Sequence, residues 1–396
     1  MVDYVSETCT QCIQLLGAVP PSIFILSILT TFVGSVVFPF KVYLFLFAVA
    51  FKPRKPFDLE KRYRILTEND EVSLLQELPC WLDTWERERK QKPNSKRDVD
   101  VEKPELFMSV VIPAYNEEER LVGMLEETVE YLESAYGVES SHETKNKKNT
   151  VTKRTRKDNA HQSNGHVKQT DPTKGWEILI VSDGSTDRTE DVAFNFARKH
   201  DIPVDNFRVI VLSQNRGKGG AVTHGMRHVR GQYVVFADAD GASKFADLGK
   251  LVQACQKVED SNGRAVAVGS RAHMVGSEAV VKRSKLRNFL MHSFHLILWL
   301  LTPSATAKIG DTQCGFKLFS RASLPFIIPY MHSEGWIFDV EMLMLAEFSQ
   351  IPVAEVPVGW REVKGSKLNV VWDSIGMAWG LFVLRASWSL GVYRRT

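Results

Sequence analysis

From Phe107 onward, short apolar runs alternate with amphipathic stretches, and each run closes on a tight polar cluster. Phe107-Met-Ser-Val-Val-Ile-Pro leads into Ala114-Tyr-Asn-Glu-Glu, and Glu177-Ile-Leu-Ile-Val leads to Asp183-Gly-Ser-Thr-Asp187. Phe207-Arg-Val-Ile-Val-Leu leads to Asn215-Arg-Gly-Lys-Gly-Gly, and Gln232-Tyr-Val-Val-Phe-Ala ends in Asp238-Ala-Asp240. Runs of this kind suit strands of a parallel sheet buried on both faces. Between them, Leu121, Leu125, Val129 and Leu132 line one face of a helix expected to open at Asn116, and another helix is expected from Thr189. Strands separated by helical patterns predict a doubly wound α/β sheet with right-handed crossovers. Ligands of such sheets bind beyond the carboxyl ends of the strands, where all of these clusters fall.

Each cluster has a chemical reading and a plainer one. Asp183 followed by glycine allows a tight turn in which the carboxylate faces a base or ribose, while Thr186 or Asp187 caps the next helix. Asp238 and Asp240 stand one residue apart at a strand end and repel each other unless solvated or bridged by a cation. A divalent ion, Mg²⁺ or Mn²⁺, resolves that repulsion and binds diphosphate oxygens at the same time. A bare Asp-x-Asp is also common in surface turns. The Asn215-Arg-Gly-Lys-Gly-Gly loop lacks the ending and spacing of a Walker A motif. Its glycines let the backbone turn closely at a helix start, with Arg216 or Lys218 near nucleotide phosphates.

The N-terminal third reads differently. From Val19 to Phe51 the chain is almost entirely apolar, with Lys41 its single charge, which exceeds the roughly 20 residues that cross a bilayer as a helix. Pro39 is expected to kink or end that helix. Asp3 and Glu7 precede the run, whereas Lys52, Arg54, Lys55, Lys61, Arg62 and Arg64 follow it. The positive-inside bias then places everything after Phe51 in the cytoplasm. The expected organisation is a short lumenal N-terminus (1–18), a transmembrane anchor (19–51), a helical linker (52–105), a catalytic domain (106–365) and a C-terminal amphipathic helix (366–396). Within the domain, 137–175 is Lys/Asn/Thr-rich and predicted to be a disordered basic insertion. The stretch 285–303 reads as an interfacial helix. Trp372, Trp379 and Trp388 suit the membrane interface in the C-terminal helix, and Arg385 disfavours a second span.

Lys and Arg number 50 against 47 Asp and Glu, so no global charge points to nucleic acid. Five cysteines are too few and odd in number for a disulfide framework, and the lone Cys9-x-x-Cys12 pair lacks the further ligands of a structural zinc.

Taken together, Val111-Ile-Pro-Ala-Tyr-Asn-Glu-Glu, Asp183-Gly-Ser-Thr-Asp, Asn215-Arg-Gly-Lys-Gly-Gly-Ala and Asp238-Ala-Asp resemble family 2 inverting glycosyltransferases of the GT-A fold. The resemblance covers about 107–245 in order and spacing, apart from the insertion. It implies a Rossmann-like mixed sheet in which Pro113, Tyr115, Glu117, Asp183 and Lys218 hold the nucleotide-sugar and Asp238 and Asp240 hold the metal. Gly269-Ser-Arg271-Ala-His, Asp311-Thr-Gln-Cys-Gly-Phe-Lys317 and Gly335-Trp-Ile-Phe-Asp339-Val-Glu341 are similar to the dolichyl-phosphate glucosyltransferase group. That resemblance implies UDP-glucose as donor, dolichyl phosphate as acceptor, the endoplasmic reticulum membrane as location and a role in lipid-linked oligosaccharide assembly for protein N-glycosylation. Gln313-Cys-Gly-Phe-Lys stands where processive synthases of the family carry QxxRW, which counts against polymer synthesis.

An anionic acceptor needs little help from a base, so the chemistry demands clamps for two anions and stabilisation of the leaving diphosphate. Arg271 suits bidentate capture of the acceptor phosphate, with Arg287, Lys317, Arg361, Lys364 and Lys367 as further cations. Asp240, Asp339 and Arg271 are the expected catalytic groups. Asp339 or Glu341 orients the acceptor or acts as base, or else begins a helix. Competing readings are a mannosyl transferase using GDP-mannose and a non-catalytic, membrane-tethered nucleotide-sugar-binding protein. A nucleotidyltransferase would want a Gly-rich basic loop after the first strand, where this chain has Pro113-Ala-Tyr-Asn-Glu-Glu.

Overall fold

The computed structural model describes residues 20–67, 69, 71–91, 101–137, 174–274, 296–363 and 370–395. They fall into two units, one of residues 1–51 with 382–396, the other Lys52–Leu381. In the smaller unit, the apolar run forms α1 (Pro21–Phe32), a π-helical segment (Val33–Val37) and α2 (Phe38–Val49), one after another. Among the described residues no helix is long and apolar enough to cross a membrane. The π segment joins α1 to α2 with a local change from i to i−4 to i to i−5 bonding. Pro39 sits in the first turn of α2, directly after the π segment. The phenol of Tyr393 donates to the Phe51 carbonyl at 3.0 Å in this unit.

The larger unit is built on a nine-stranded mixed sheet. Its strands are β1 (Arg62–Arg64), β2 (Gln76–Glu77), β3 (Leu106–Ala114), β4 (Trp176–Asp183), β5 (Phe207–Leu212), β6 (Gly231–Ala237), β7 (Val266–Ser270), β8 (Phe316–Ser320) and β9 (Val353–Pro357), in the order β2-β1-β5-β4-β3-β6-β8-β7-β9. The four apolar runs are β3 to β6, paired in parallel. Val110, Ile112, Ile178, Ile180, Val209 and Val235 are fully buried, as strands covered on both faces require. β8 lies antiparallel between β6 and β7, which makes the sheet mixed. Strand order reverses between β3 and β6, the place beyond whose carboxyl ends ligands of such sheets bind.

The region expected as a helical linker instead supplies β1 and β2 at the sheet edge beside β5, followed by α3 (Trp81–Gln91). Burial drives this docking: Ile65, Leu66, Leu78, Trp81 and Leu82 are all buried, and the Trp81 indole donates to the Met226 carbonyl at 2.7 Å. The crossover helices are α4 (Leu121–Tyr136), α5 (Thr189–Lys199), α6 (Lys218–Met226) and α7 (Leu248–Val258); α8 (Phe338–Phe348) and α9 (Val370–Ser389) follow. α4 begins at Leu121 rather than Asn116, because Asn116 adopts φ +53° and turns its side chain to the loop after β4. Within the stretch expected as interfacial, residues 296–301 are helical, with Leu296, Trp299 and Leu300 exposed and Leu298 buried. Trp372 and Trp379 of α9 are exposed as well. Positions 138–173 of the insertion, Arg287, Lys364, Lys367, Cys9 and Cys12 lie outside the described residues.

Candidate active site

The carboxyl ends of β3 to β6 gather the polar clusters on one rim. The loops after β3 and β4 are laced together: the Asn116 side-chain oxygen accepts from the Thr186 and Asp187 amides at 2.7 and 3.3 Å. The Glu118 amide donates to Asp187 at 3.1 Å. Neither Thr186 nor Asp187 is the N-cap of α5, which is Arg188; Asp187 lies just ahead of it and accepts from the Thr189 amide at 2.9 Å. Asp183 at the end of β4 is buried, and its Oδ1 accepts from the Arg216 amide at 2.7 Å. Burial pushes its carboxyl up to about 6, against the pull of the Arg216 and Gly217 amides. Gly184, at φ +68°, allows the turn, since a Cβ there would stand 2.7 Å from the Asn215 nitrogen.

The Asn215–Gly220 loop owes its glycines to a different neighbour than expected. A Cβ at Gly217 would meet the Glu334 carbonyl oxygen at 2.6 Å, and one at Gly219 would meet Phe338 at 2.5 Å. The loop therefore packs on residues 333–338. Arg216, expected near phosphates, is committed to Glu334 through Nε at 2.8 Å and through Nη2. Lys218 does reach the rim: its ammonium lies 2.6 Å from Asp238 Oδ1. Burial lowers the Lys218 pKa, but Asp238, Asp339 and Asp240 outweigh that and hold it above the ordinary lysine value.

Asp238 and Asp240 leave the end of β6 together. The Asp238 amide donates to the Gly315 carbonyl at 3.2 Å, and a Cβ at Gly315 would fall 2.0 Å from Asp238 Oδ2. Only a residue without a side chain lets the 311–315 loop approach this carboxylate. Asp240 accepts from the Ala242 amide at 3.0 Å and stands 3.9 Å from Arg120. Arg120 in turn grips Glu117 with two bonds of 2.6 and 2.7 Å. Burial, then the charge of Asp238, raises the Asp240 pKa. The side chains of Asp238 and Asp240 are 30% and 29% exposed. Two adjacent, partly exposed carboxylates that repel each other suit a divalent ion shared with substrate phosphates. No group of three or more His, Cys, Asp or Glu able to hold an ion is found among the described residues.

The remaining expected residues divide. Pro113 lies in β3 opposite Val181, Tyr115 is 40% exposed at the rim, and Glu117 is spent on Arg120 rather than turned to a nucleotide. Arg271 follows β7 at the same rim, but its fork is engaged bidentately by Asp311 at 2.7 and 2.9 Å, so it is not poised to clamp a phosphate with that face. Lys317 is fully buried in β8 and paired with Asp339, beneath the rim rather than facing an acceptor. Asp339 is thereby tied down, and burial raises its pKa against the attraction of Lys317 and Lys218. Glu341 accepts from the His332 and Ser333 amides at 2.9 and 2.7 Å and anchors that loop. Arg361 braces the turn after Asp240, donating to the Gly241 carbonyl at 2.9 Å. Sequence reading missed Arg120, Gly315 and Glu334, each of which acts through residues distant along the chain or with no chemistry of its own.

The glycosyl transferase family 2 model matches residues 145–325. The dolichyl-phosphate beta-glucosyltransferase of Saccharomyces cerevisiae is 40% identical over 361 residues, 89% of this chain and 91% of that protein. The Drosophila melanogaster protein of that name is 40% identical over 292 residues, 74% of this chain and 78% of its own. Among solved structures, glucosyl-3-phosphoglycerate synthase from Mycobacterium tuberculosis, in complex with Mn²⁺, UDP-glucose and phosphoglyceric acid, aligns at TM-score 0.45 with 16% identity, over 72% of this chain and 80% of that one. Near-full-length identity at this level, together with the family 2 match, places the chain in the dolichyl-phosphate beta-glucosyltransferases.

Proposed function

We propose that the chain transfers glucose from UDP-glucose to dolichyl phosphate with inversion, giving dolichyl β-D-glucosyl phosphate for lipid-linked oligosaccharide assembly and protein N-glycosylation. The observation that carries this reading is the convergence of Asp183, Lys218, Asp238 and Asp240 at the reversal of strand order beyond β3 and β6. The relatives' name supplies the sugar and the lipid; a uridine nucleotide suits the Asp183 pocket, where a carboxylate stands ready to accept from a base or ribose.

Asp240 and Asp238 would hold a divalent ion together with the donor diphosphate. Such an ion supplies Lewis-acid stabilisation of charge on the departing nucleotide. Lys218 adds a fixed cation at the same rim, so negative charge developing on the leaving group meets a preorganised field. The acceptor phosphate is anionic already and attacks the anomeric carbon directly, which converts an α-linked donor into a β-linked product. Asp339, paired with Lys317, then serves the electrostatics beneath the rim rather than proton removal. The long apolar run, the cations after it and the exposed Trp299, Trp372 and Trp379 support attachment to the endoplasmic reticulum membrane with the catalytic unit on the cytoplasmic side.

The test is a donor screen with the full-length protein, dolichyl phosphate and Mg²⁺ or Mn²⁺. Glucose from UDP-glucose is expected in the lipid product, with loss of transfer in excess chelator. Transfer of mannose from GDP-mannose with none of glucose would overturn the donor assignment.

A further inference from the structure

Glu60, in the 3₁₀ turn Asp58–Lys61 of the region expected as a linker, has a fully buried carboxylate with five donors. Arg54 gives it Nη1 at 3.0 Å and Nη2 at 2.7 Å, and the Phe57 amide adds a bond of 2.9 Å. Ser213, directly after β5, gives its amide at 3.0 Å and its hydroxyl at 2.7 Å. The backbone of the same segment reaches further. The Glu60 carbonyl meets His224 Nε2 of α6 at 2.8 Å, and the Arg54 carbonyl accepts from Arg216 Nη2 at 2.7 Å. Arg216 is the residue whose amide bonds Asp183. Bonds from residues 54–60 therefore bracket the 213–218 loop on both sides. Burial opposes the charge on Glu60, yet its donors hold the carboxyl down at about 2, so the hub stays ionised throughout the working pH range.

We propose that Glu60 and Arg54 are positioning residues for the donor loop: touching neither substrate, they set donor affinity by fixing Ser213 and Arg216, and through them Asp183 and Lys218. The inference rests on the donor-side assignment of that loop made above. Glu177 is a built-in control. It is an equally buried carboxylate bonded by Ser109 Oγ at 2.6 Å and by the Arg230 amide and Nε at 2.7 and 2.9 Å, at the opposite end of the strands.

The experiment compares full-length wild type, Glu60→Gln and Glu177→Gln by thermal melting, UDP binding in calorimetry, and steady-state kinetics. Glu60→Gln keeps the shape but turns an amide donor toward groups that are themselves donors. It should raise the UDP Kd and the donor KM about tenfold, leaving kcat within about twofold. Glu177→Gln should lower Tm with the UDP Kd unchanged. Should Glu60→Gln not fold, Ser213→Ala deletes one of the five bonds, and a raised UDP Kd in that variant supports the positioning role equally. An unchanged Kd in Glu60→Gln or in a folded Ser213→Ala, or Kd values that track Tm in both Gln variants, overturns it. A wild-type chain that does not bind UDP at all brings down the donor assignment beneath it.

Discussion

At the amino ends of the central strands, Glu177 is surrounded by Ser109, Arg208 and Arg230, and two guanidinium groups face one carboxylate. At the carboxyl ends, Asp183, Asp238 and Asp240 share the rim with Lys218 and Arg120, and two of those acids have pKa values above the ordinary range. The same sheet thus ends in a neutralised knot on one side and in under-compensated negative charge on the other. The first arrangement suits stability; the second suits the proposed binding of a cation together with the donor diphosphate.

The comparison can be broken at either end. Asp240→Ala should lower kcat/KM by on the order of 10²–10³-fold while leaving Tm within a degree or two of wild type, measured by transfer assay and melting. A large drop in Tm with modest activity loss would make Asp240 a structural acid after all. Next in size, Gly315→Ala drives a methyl into the Asp238 carboxylate. A displacement of about 1 Å at such a site costs about 10²-fold in kcat/KM. At the amino end, Arg230→Met removes one of the two guanidinium groups facing Glu177 and should cost about 1–3 kcal/mol in denaturant unfolding, with kcat/KM unchanged.

The smallest effect is in pH dependence. Asp183 is raised from 3.8 to about 6, so the native state holds a proton that the unfolded chain releases. Its contribution to stability therefore declines as pH rises from 3.8 toward 6. Donor binding under the proposed role of Asp183 uses the ionised carboxylate and runs the other way. Donor KM should climb about fivefold between pH 6 and 5, as the ionised fraction falls from about a half to about a tenth, and Asp183→Asn should flatten that limb.

Much of the rim was legible because strand ends announce themselves. Asp183, Asp238 and Asp240 follow apolar runs, and pattern alone puts them at one edge. The partners of Lys317 and Arg271 were not legible for a common reason: a sequence shows a charge but not what it meets, here Asp339 and Asp311. Glu60 looked like one more charge in a linker, since nothing local reveals that Ser213 will lie beside it. Gly315 offers no chemical signal whatever; its meaning is the missing atom next to Asp238. Long-range approach, not composition, decides such roles.

The sheet's edge has a consequence for biosynthesis. β1 pairs with β5 through Tyr63 and Ile210, so a strand made early waits for a partner made about 150 residues later. At ribosomal speeds that interval lasts roughly 7–30 s. During it, Arg62-Tyr-Arg64 presents two like charges on a three-residue strand, a poor template for recruiting stray β-segments. The brevity and charge of that piece make it a weak edge for foreign strands until β5 is made.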